Sequence, residues 1–139
     1  MLRDYKKINV SDLRLFDANS RTHSVEQVEQ IIKSIEEFGF TNPLLIDENN
    51  TIIAGHGRLE AALKLKLSEV PCIILSGLTD AQKAAYVIAD NKLALNAGWD
   101  HNKLIDQFKY LESLDYDLTL TGFGLDEIAS FMPEELPEP

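Results

Sequence analysis

A short glycine-containing segment between a predicted strand and a predicted helix is the part of this sequence best suited to chemistry. Gly55, His56 and Gly57 follow an apolar run at residues 51–54, and helical spacing of apolar residues begins at Arg58. Two glycines let the backbone turn sharply and leave the first helical N–H groups to attract an anion. Arg58 can clamp a phosphate beside those amides, and His56 can donate to it. The alternative is a tight turn with Arg58 paired to a surface acid.

Two other polar clusters accompany the glycine segment. Asn19 and Arg21 lie in a polar loop before the first predicted helix, and Asp90 and Asn91 interrupt a helix otherwise rich in apolar residues. A carboxylate beside a carboxamide suits magnesium held between protein and phosphates. The alternatives are an exposed turn for the first cluster, and a helix-surface pair or a local break for the second.

The sequence gives little support for a metal site, a disulfide or a cysteine nucleophile. The three histidines lack the spacing of a metal site, and the single cysteine, Cys72, excludes an intramolecular disulfide and a cysteine-based zinc site. Cys72 lies in an apolar strand, which favours a buried side chain over a nucleophile. Trp99 is interpreted as an anchor for the C-terminal helices, with base stacking as the alternative.

Strands are predicted in the first half of the chain and helices in the second. The spacing of apolar residues predicts strands at residues 6–10, 44–46, 51–54 and 70–75, the middle two joined as a hairpin. Helices are predicted from caps or apolar stripes beginning at Ser24, Arg58, Thr79, Asp100 and Leu125. The fold class is therefore α+β, with a small mixed sheet packed with helices and followed by C-terminal helices.

The charge of this chain is concentrated at one end. The 139 residues carry a formal charge of −10, of which residues 112–139 contribute −8 with no lysine or arginine. Neither part has the basic stripe that binding to a duplex needs. No apolar run reaches the length of a membrane span, and a cytoplasmic location is expected. Residues 133–139 have the composition of an acidic, proline-rich linker, which suggests the front part of a longer protein or a frayed tail.

The order of these motifs resembles a known family. Asn19-x-Arg21, Asn42-Pro-Leu-Leu-Ile46, the segment from Ile53 to Ala61 with its Gly-His-Gly-Arg core, and Asp90-Asn91 follow one another as in the N-terminal domain of ParB partition proteins and the sulfiredoxin-like superfold. The resemblance covers residues 5–95. The fuller strings at residues 54–62, 89–93, 97–100 and 120–123 look like a bacterial and phage branch found ahead of an adenine- or cytosine-N4 DNA methyltransferase.

In ParB, the resemblance implies a CTP site with magnesium. Carried over by motif, the residues expected to line the nucleotide or phosphate pocket are Asn19, Arg21, Gly55, His56, Gly57 and Arg58, with Asp90 and Asn91 near the metal. ParB typically has an acid and two successive arginines after the glycine, whereas here His56 and Gly57 precede the single Arg58. This departure predicts weak triphosphate binding, with slow hydrolysis or none.

The sequence favours a nucleotide-binding module associated with DNA modification or with phage or plasmid DNA handling. It would form the N-terminal part of a methyltransferase-type protein, with methyltransferase activity outside this chain and DNA reached through another domain or chain. The alternatives are a small-molecule kinase or nucleotidase using the same pocket, and a non-catalytic protein-interaction domain. The glycine segment lacks the cysteine of sulfiredoxins, so sulfinic-acid reduction is not expected.

Three regions are predicted along the chain. Residues 1–96 are expected to form the ParB/sulfiredoxin-like domain, and residues 97–132 a helical extension. The apolar stripes of the extension look too small to close a core by themselves, which predicts that it packs on the domain. Residues 133–139 form the linker or tail.

The charge distribution predicts that residues 1–139 bind duplex DNA only non-specifically. Because the chain lacks a basic stripe to neutralise phosphates, fluorescence anisotropy at moderate salt should give a Kd no tighter than about 10⁻⁴–10⁻⁶ M, irrespective of sequence. Sub-micromolar binding with a sequence preference would contradict this prediction.

Overall fold

The computed structural model describes residues 2–15 and 24–132. These residues form two compact units, which meet in sequence between Asn96 and Ala97. In the first unit the elements are β1 (Leu2–Asn9), a 3₁₀ turn (Val10–Asp12), α1 (Val25–Phe38), β2 (Leu44–Asp47), β3 (Ile52–Ala54), α2 (His56–Lys64), β4 (Glu69–Ser76) and α3 (Asp80–Asn96). In the second unit they are α4 (His101–Ser113), a 3₁₀ turn (Leu118–Thr121) and α5 (Leu125–Phe131).

The sheet of the first unit is mixed, with strand order β1-β4-β2-β3. β4 pairs antiparallel with β1 and parallel with β2, and β2 and β3 form the antiparallel hairpin. The predicted α+β class and the small mixed sheet are therefore confirmed. β1 begins at Leu2, upstream of the predicted start at Lys6, because its pairing with β4 extends from Leu2 to Asn9.

Side chains alternate between the two faces of the sheet and build a core on each. Leu44, Ile46 and Cys72 pack with Leu59 of α2 on one face. The intervening positions face α3, where buried residues Ile53, Leu75 and Val87 form a second cluster. This period-two alternation places α2 and α3 on opposite sides of the sheet.

The helix caps follow the sequence signals closely. The Ser24 hydroxyl accepts a hydrogen bond from the Gln27 amide at 3.0 Å, and Gly39 ends α1 with φ of 84°. Thr79 and Gln82 exchange two hydrogen bonds at the start of α3, where Thr79 Oγ1 accepts from the Gln82 amide and Gln82 Oε1 from the Thr79 amide. These contacts satisfy N–H groups that a helix start leaves without partners.

A buried ion pair joins α3 to the β2–β3 hairpin. Lys83 Nζ lies 3.0 Å from Asp47 Oδ2 and 3.3 Å from Glu48 Oε1, and Lys83 and Asp47 are only 8% and 4% exposed. Asp47 Oδ1 also accepts hydrogen bonds from the amides of Asn49 and Thr51. The same carboxylate therefore shapes the hairpin turn and holds α3 against it.

The second unit has an apolar cluster of its own. Leu104 and Phe108 of α4 pack with Ile128 of α5 and with Met132. Phe123 makes ring contacts with Phe108, at 5.4 Å between centroids, and with Trp99, at 5.3 Å. The apolar stripes that were expected to be too small for a core do cluster together, and packing of the extension on residues 1–96 stays a prediction.

None of the helices in the described ranges 2–15 and 24–132 is long and apolar enough to cross a bilayer.

The Lys83–Asp47 pair predicts a specific response to mutation. Replacing Lys83 by Met leaves a buried carboxylate without its cation, so the free energy of unfolding should fall by about 3 kcal/mol. Chemical denaturation at neutral pH measures the loss. Glu29→Gln on the exposed surface of α1 is the control and should change stability little; equal losses in both variants would contradict the prediction.

The same pair predicts a pH dependence. Burial alone raises the pKa of Asp47, but hydrogen bonds from the Thr51 amide, the Lys83 ammonium and the Asn49 amide outweigh it, and the pKa of Asp47 lies below its ordinary value. A lowered folded-state pKa contributes stability at neutral pH that disappears as pH falls below about 4. The melting temperature of Asp47→Asn should therefore decline less steeply between pH 6 and pH 3 than that of the unmutated chain. If the melting temperatures of the two chains decline in parallel, the Asp47 carboxylate makes no such contribution to stability.

Candidate functional site

A cavity of about 320 Å³ opens at the N-terminus of α2. Four elements of the first unit surround this α2 cavity: α1 supplies Gln27 and Ile31, and β3 supplies its last two residues. The start of α2 and the C-terminal half of α3 complete the wall, with Ala94 as the last lining residue of α3. Residues far apart in sequence therefore face a single space.

Most of the predicted pocket residues meet in this cavity. Gly55, His56, Arg58, Asp90 and Asn91 all line it. The structure thus brings together two of the three polar clusters singled out in the sequence, while their role in binding stays a prediction.

Three residues predicted for the pocket remain to be placed: Gly57, Asn19 and Arg21. Gly57 is buried in the first turn of α2 and does not line the cavity. The glycine that makes the turn into the helix is Gly55. Asn19 and Arg21 lie outside the described residues.

The turn between β3 and α2 depends on the backbone conformation of Gly55. Its φ of 106° and ψ of 22° are left-handed, and a Cβ there would lie 2.5 Å from Leu44 Cδ2 and 3.0 Å from Arg58 Nη2. Only glycine can adopt this left-handed conformation and avoid these close contacts without displacing Leu44 or Arg58. α2 consequently begins at His56, two residues before the predicted start at Arg58.

The first turn of α2 points its amides toward the start of the helix, where the cavity lies. The first backbone hydrogen bond of the helix joins the Leu59 amide to the Gly55 carbonyl at 2.9 Å. Gly55 offers no side-chain cap, so the amides of residues 56–58 precede the helical ladder with no cap from that residue. Partial positive charge at such a helix start favours an anionic ligand.

Arg58 carries the fixed charge of the cavity. Its Nη2 donates to the Pro43 carbonyl at 3.2 Å, and its buried Nε has no hydrogen-bond partner among the described residues. The guanidinium forms no ion pair with any carboxylate of those residues, so the alternative of a surface salt bridge is not observed. Burial lowers the pKa of Arg58 from its ordinary value, and the charge of Asp90 opposes the shift. Arginine nevertheless remains protonated in proteins, so a charge here is partly desolvated and under-satisfied.

Asp90 and Asn91 lie on one continuous helix. α3 runs unbroken from Asp80 to Asn96, which excludes a local break at the pair. Asn91 Nδ2 donates to the Val87 carbonyl at 2.8 Å, and the Asn91 side chain is thus held in place by its own helix at the wall of the cavity. Asp90 lies one turn after Tyr86, and its charge contributes, after burial, to the raised pKa of Tyr86.

Sequence reasoning missed several parts of the site. Gln27, whose amide donates to the Ser24 hydroxyl at the start of α1, also lines the cavity. Ile31 and Ala94 gave no polar signal, and the Pro43 carbonyl that receives Arg58 is a backbone atom whose position depends on the tertiary fold.

Cys72 matches the expectation for a structural thiol. It is completely buried in β4, and burial raises its pKa to about 11. A thiol in this environment remains protonated at neutral pH and is a poor nucleophile.

The chain belongs to the ParB N-terminal domain family, which matches residues 3–92. The ParB-like nuclease domain-containing protein YnaK of Escherichia coli K12 is 58% identical over 74 residues, which are 53% of this chain and 85% of that protein. The uncharacterized protein ORF326b of Acidianus two-tailed virus is 33% identical over 67 residues, 48% of this chain and 21% of that protein.

Solved ParB structures share the fold. The C-terminally truncated chromosome-partitioning protein ParB from Caulobacter crescentus, complexed with CTP-γ-S, aligns with a TM-score of 0.76 and 23% identity over 97% of this chain and 81% of that chain. The same protein complexed to the centromeric parS site aligns with a TM-score of 0.54 and 23% identity over 96% of this chain and 73% of that chain.

The Gly55 turn predicts an unequal effect of two alanine substitutions. Gly122 is also left-handed, with φ of 94° and ψ of −9°, but a Cβ there meets nothing within 4 Å. Gly122→Ala should therefore cost only the left-handed strain, about 1–2 kcal/mol. Gly55→Ala adds a collision with Leu44 and Arg58 and should cost at least about 1 kcal/mol more. Denaturant unfolding of both variants measures the difference, and equal costs would show that the close contacts at Gly55 impose no constraint.

Proposed function

We propose that residues 1–96 form a nucleotide-binding module that holds the phosphates of a nucleoside triphosphate in the α2 cavity. The observation that carries this proposal is the state of Arg58, a partly buried cation with an unsatisfied Nε and no carboxylate partner among the described residues. A phosphate beside Arg58 would supply the missing acceptor for Nε and a directly hydrogen-bonded anion. The α2 amides would bind the same group from the adjoining wall.

Magnesium would be held jointly by the protein and the phosphates. Asp90 and Asn91 offer one carboxylate and one amide oxygen, which suits Mg²⁺ bound through few protein ligands and completed by phosphate and water. In residues 2–15 and 24–132 no group of three or more His, Cys, Asp or Glu side chains could hold a metal by itself. Binding of the metal should therefore depend on the nucleotide.

CTP is the nucleotide we expect to be preferred. The Caulobacter crescentus relative was crystallised with CTP-γ-S, and the family match extends over both Arg58 and Asp90-Asn91. Since one arginine follows the glycine here where ParB typically has two, binding should be weak, with slow hydrolysis or none.

The module is proposed to serve DNA modification or phage or plasmid DNA handling, and to act on DNA through another domain or chain. The strings that resemble methyltransferase-associated proteins support this context, as does a viral relative that matches 67 residues. The parS complex of the Caulobacter crescentus relative supports a link between this family and DNA. The net charge of −10 argues against direct duplex binding by this chain.

Calorimetry with the four ribonucleoside triphosphates and magnesium tests the proposal. Arg58→Ala should weaken nucleotide binding about 10- to 100-fold, because charge-assisted hydrogen bonds contribute roughly 1.5–3 kcal/mol. Lys64→Ala is the matched control, since it removes a positive charge from the last turn of the same helix, outside the cavity. Asn91→Ala is a second variant that leaves Arg58 and its bond to Pro43 in place, and it should reduce the magnesium-dependent part of binding.

The results of this titration distinguish nucleotide binding in the α2 cavity from the alternative functions. If no nucleotide binds the unmutated chain at millimolar concentration, a non-catalytic interaction domain becomes the better interpretation. If nucleotide binds and Lys64→Ala weakens it as much as Arg58→Ala, the site lies elsewhere. Melting curves of each variant separate loss of binding from loss of folding.

A further inference from the structure

A larger cavity lies between α3 and the face of the sheet that α3 covers. Its volume is about 490 Å³, within the range of small-molecule sites, and none of its lining residues belongs to the α2 cavity. Leu45, Ile73 and Leu75 of the sheet line it on one side, and Ala85 and Ala89 of α3 on the other. This space is called the sheet cavity below.

The sheet cavity exists because α3 covers the sheet incompletely. Among the strands, α3 contacts mainly β3, whereas the lining residue Arg3 belongs to β1 and Ile73 and Leu75 belong to β4. At positions 85 and 89 the helix presents only methyl groups to this space. Open apolar volume forfeits dispersion contacts that larger side chains would provide, so an apolar ligand would gain them.

One charged side chain at the cavity, that of Arg3, is available to pair with a ligand. Gln82 Oε1 accepts the Thr79 amide at 2.9 Å, so this side chain already has a partner. Arg3 is the only charged residue of the lining and forms no ion pair with a carboxylate in the described part of the chain. Burial raises the pKa of Tyr86, so its phenol stays neutral beside Arg3.

We propose that the sheet cavity binds a small amphipathic anion, a molecule with a compact apolar body and one carboxylate. The apolar body would lie between α3 and the residues of β2 and β4, and the carboxylate would pair with Arg3 at the rim. Charge complementarity selects an anion over a neutral or cationic molecule. This site shares no lining residue with the nucleotide site.

Calorimetric titration of the full chain with octanoate and with 1-octanol tests the proposal. Because Arg3 is exposed, the carboxylate should improve binding only about fivefold over the alcohol. Arg3→Gln should bring octanoate down to the affinity of octanol. Lys6→Gln is the matched control, since it removes the same charge from the same strand at a position outside the cavity, and it should preserve the preference.

Filling the cavity provides a separate test of location. Ala85 is exposed at the cavity wall, so Ala85→Trp can fold and should abolish binding of both compounds, as should Ala89→Phe. Melting curves verify that both variants are folded. The proposal is overturned if octanoate shows no saturable binding at millimolar concentration, if Arg3→Gln and Lys6→Gln behave alike, or if the folded filling variants bind as the unmutated chain does.

Discussion

The left-handed turn at Gly55 is the constraint on which the candidate site depends. It ends β3 and starts α2 within one residue, so the first turn of the helix begins directly at the edge of the sheet. The absence of a side chain there leaves room for Leu44 on one side and for the Arg58 guanidinium on the other. Core packing and the position of the charge are thus set by the same glycine.

The opposite wall of the α2 cavity is held by a second interaction. Lys83 ties the N-terminal half of α3 to the Asp47 turn, and Asp90 and Asn91 lie two turns further along the same helix. Because an α-helix is stiff over this distance, the ion pair also fixes where the polar pair stands relative to Arg58. α3 lines both cavities through different residues: Asp90, Asn91 and Ala94 line the α2 cavity, and Gln82, Ala85, Tyr86 and Ala89 line the sheet cavity.

Local signals in the sequence predicted most elements of the fold. Ser24 marked the start of α1, and short apolar runs placed the hairpin and β4, because these patterns depend only on near neighbours. The Lys83–Asp47 pair was not predicted, since its partners are 36 residues apart and each resembles an ordinary surface charge. The family resemblance assigns Gly55 and Gly57 alike to the phosphates, whereas the structure shows that Gly55 makes the turn and Gly57 is buried in the first turn of α2. The roles of Asn19 and Arg21 stay predictions from the family resemblance.

The most direct test of phosphate binding at the start of α2 is a two-dimensional ¹H–¹⁵N NMR titration of the chain with CTP and magnesium. A phosphate held by helix amides should shift the resonances of residues 56–58 most strongly, together with the side-chain signals of Arg58 and Asn91. Amides on the sheet-cavity face, such as Ala85, should change little. Saturable shifts centred on residues 56–58 would support the site, whereas shifts centred elsewhere, or none at millimolar CTP, would contradict it.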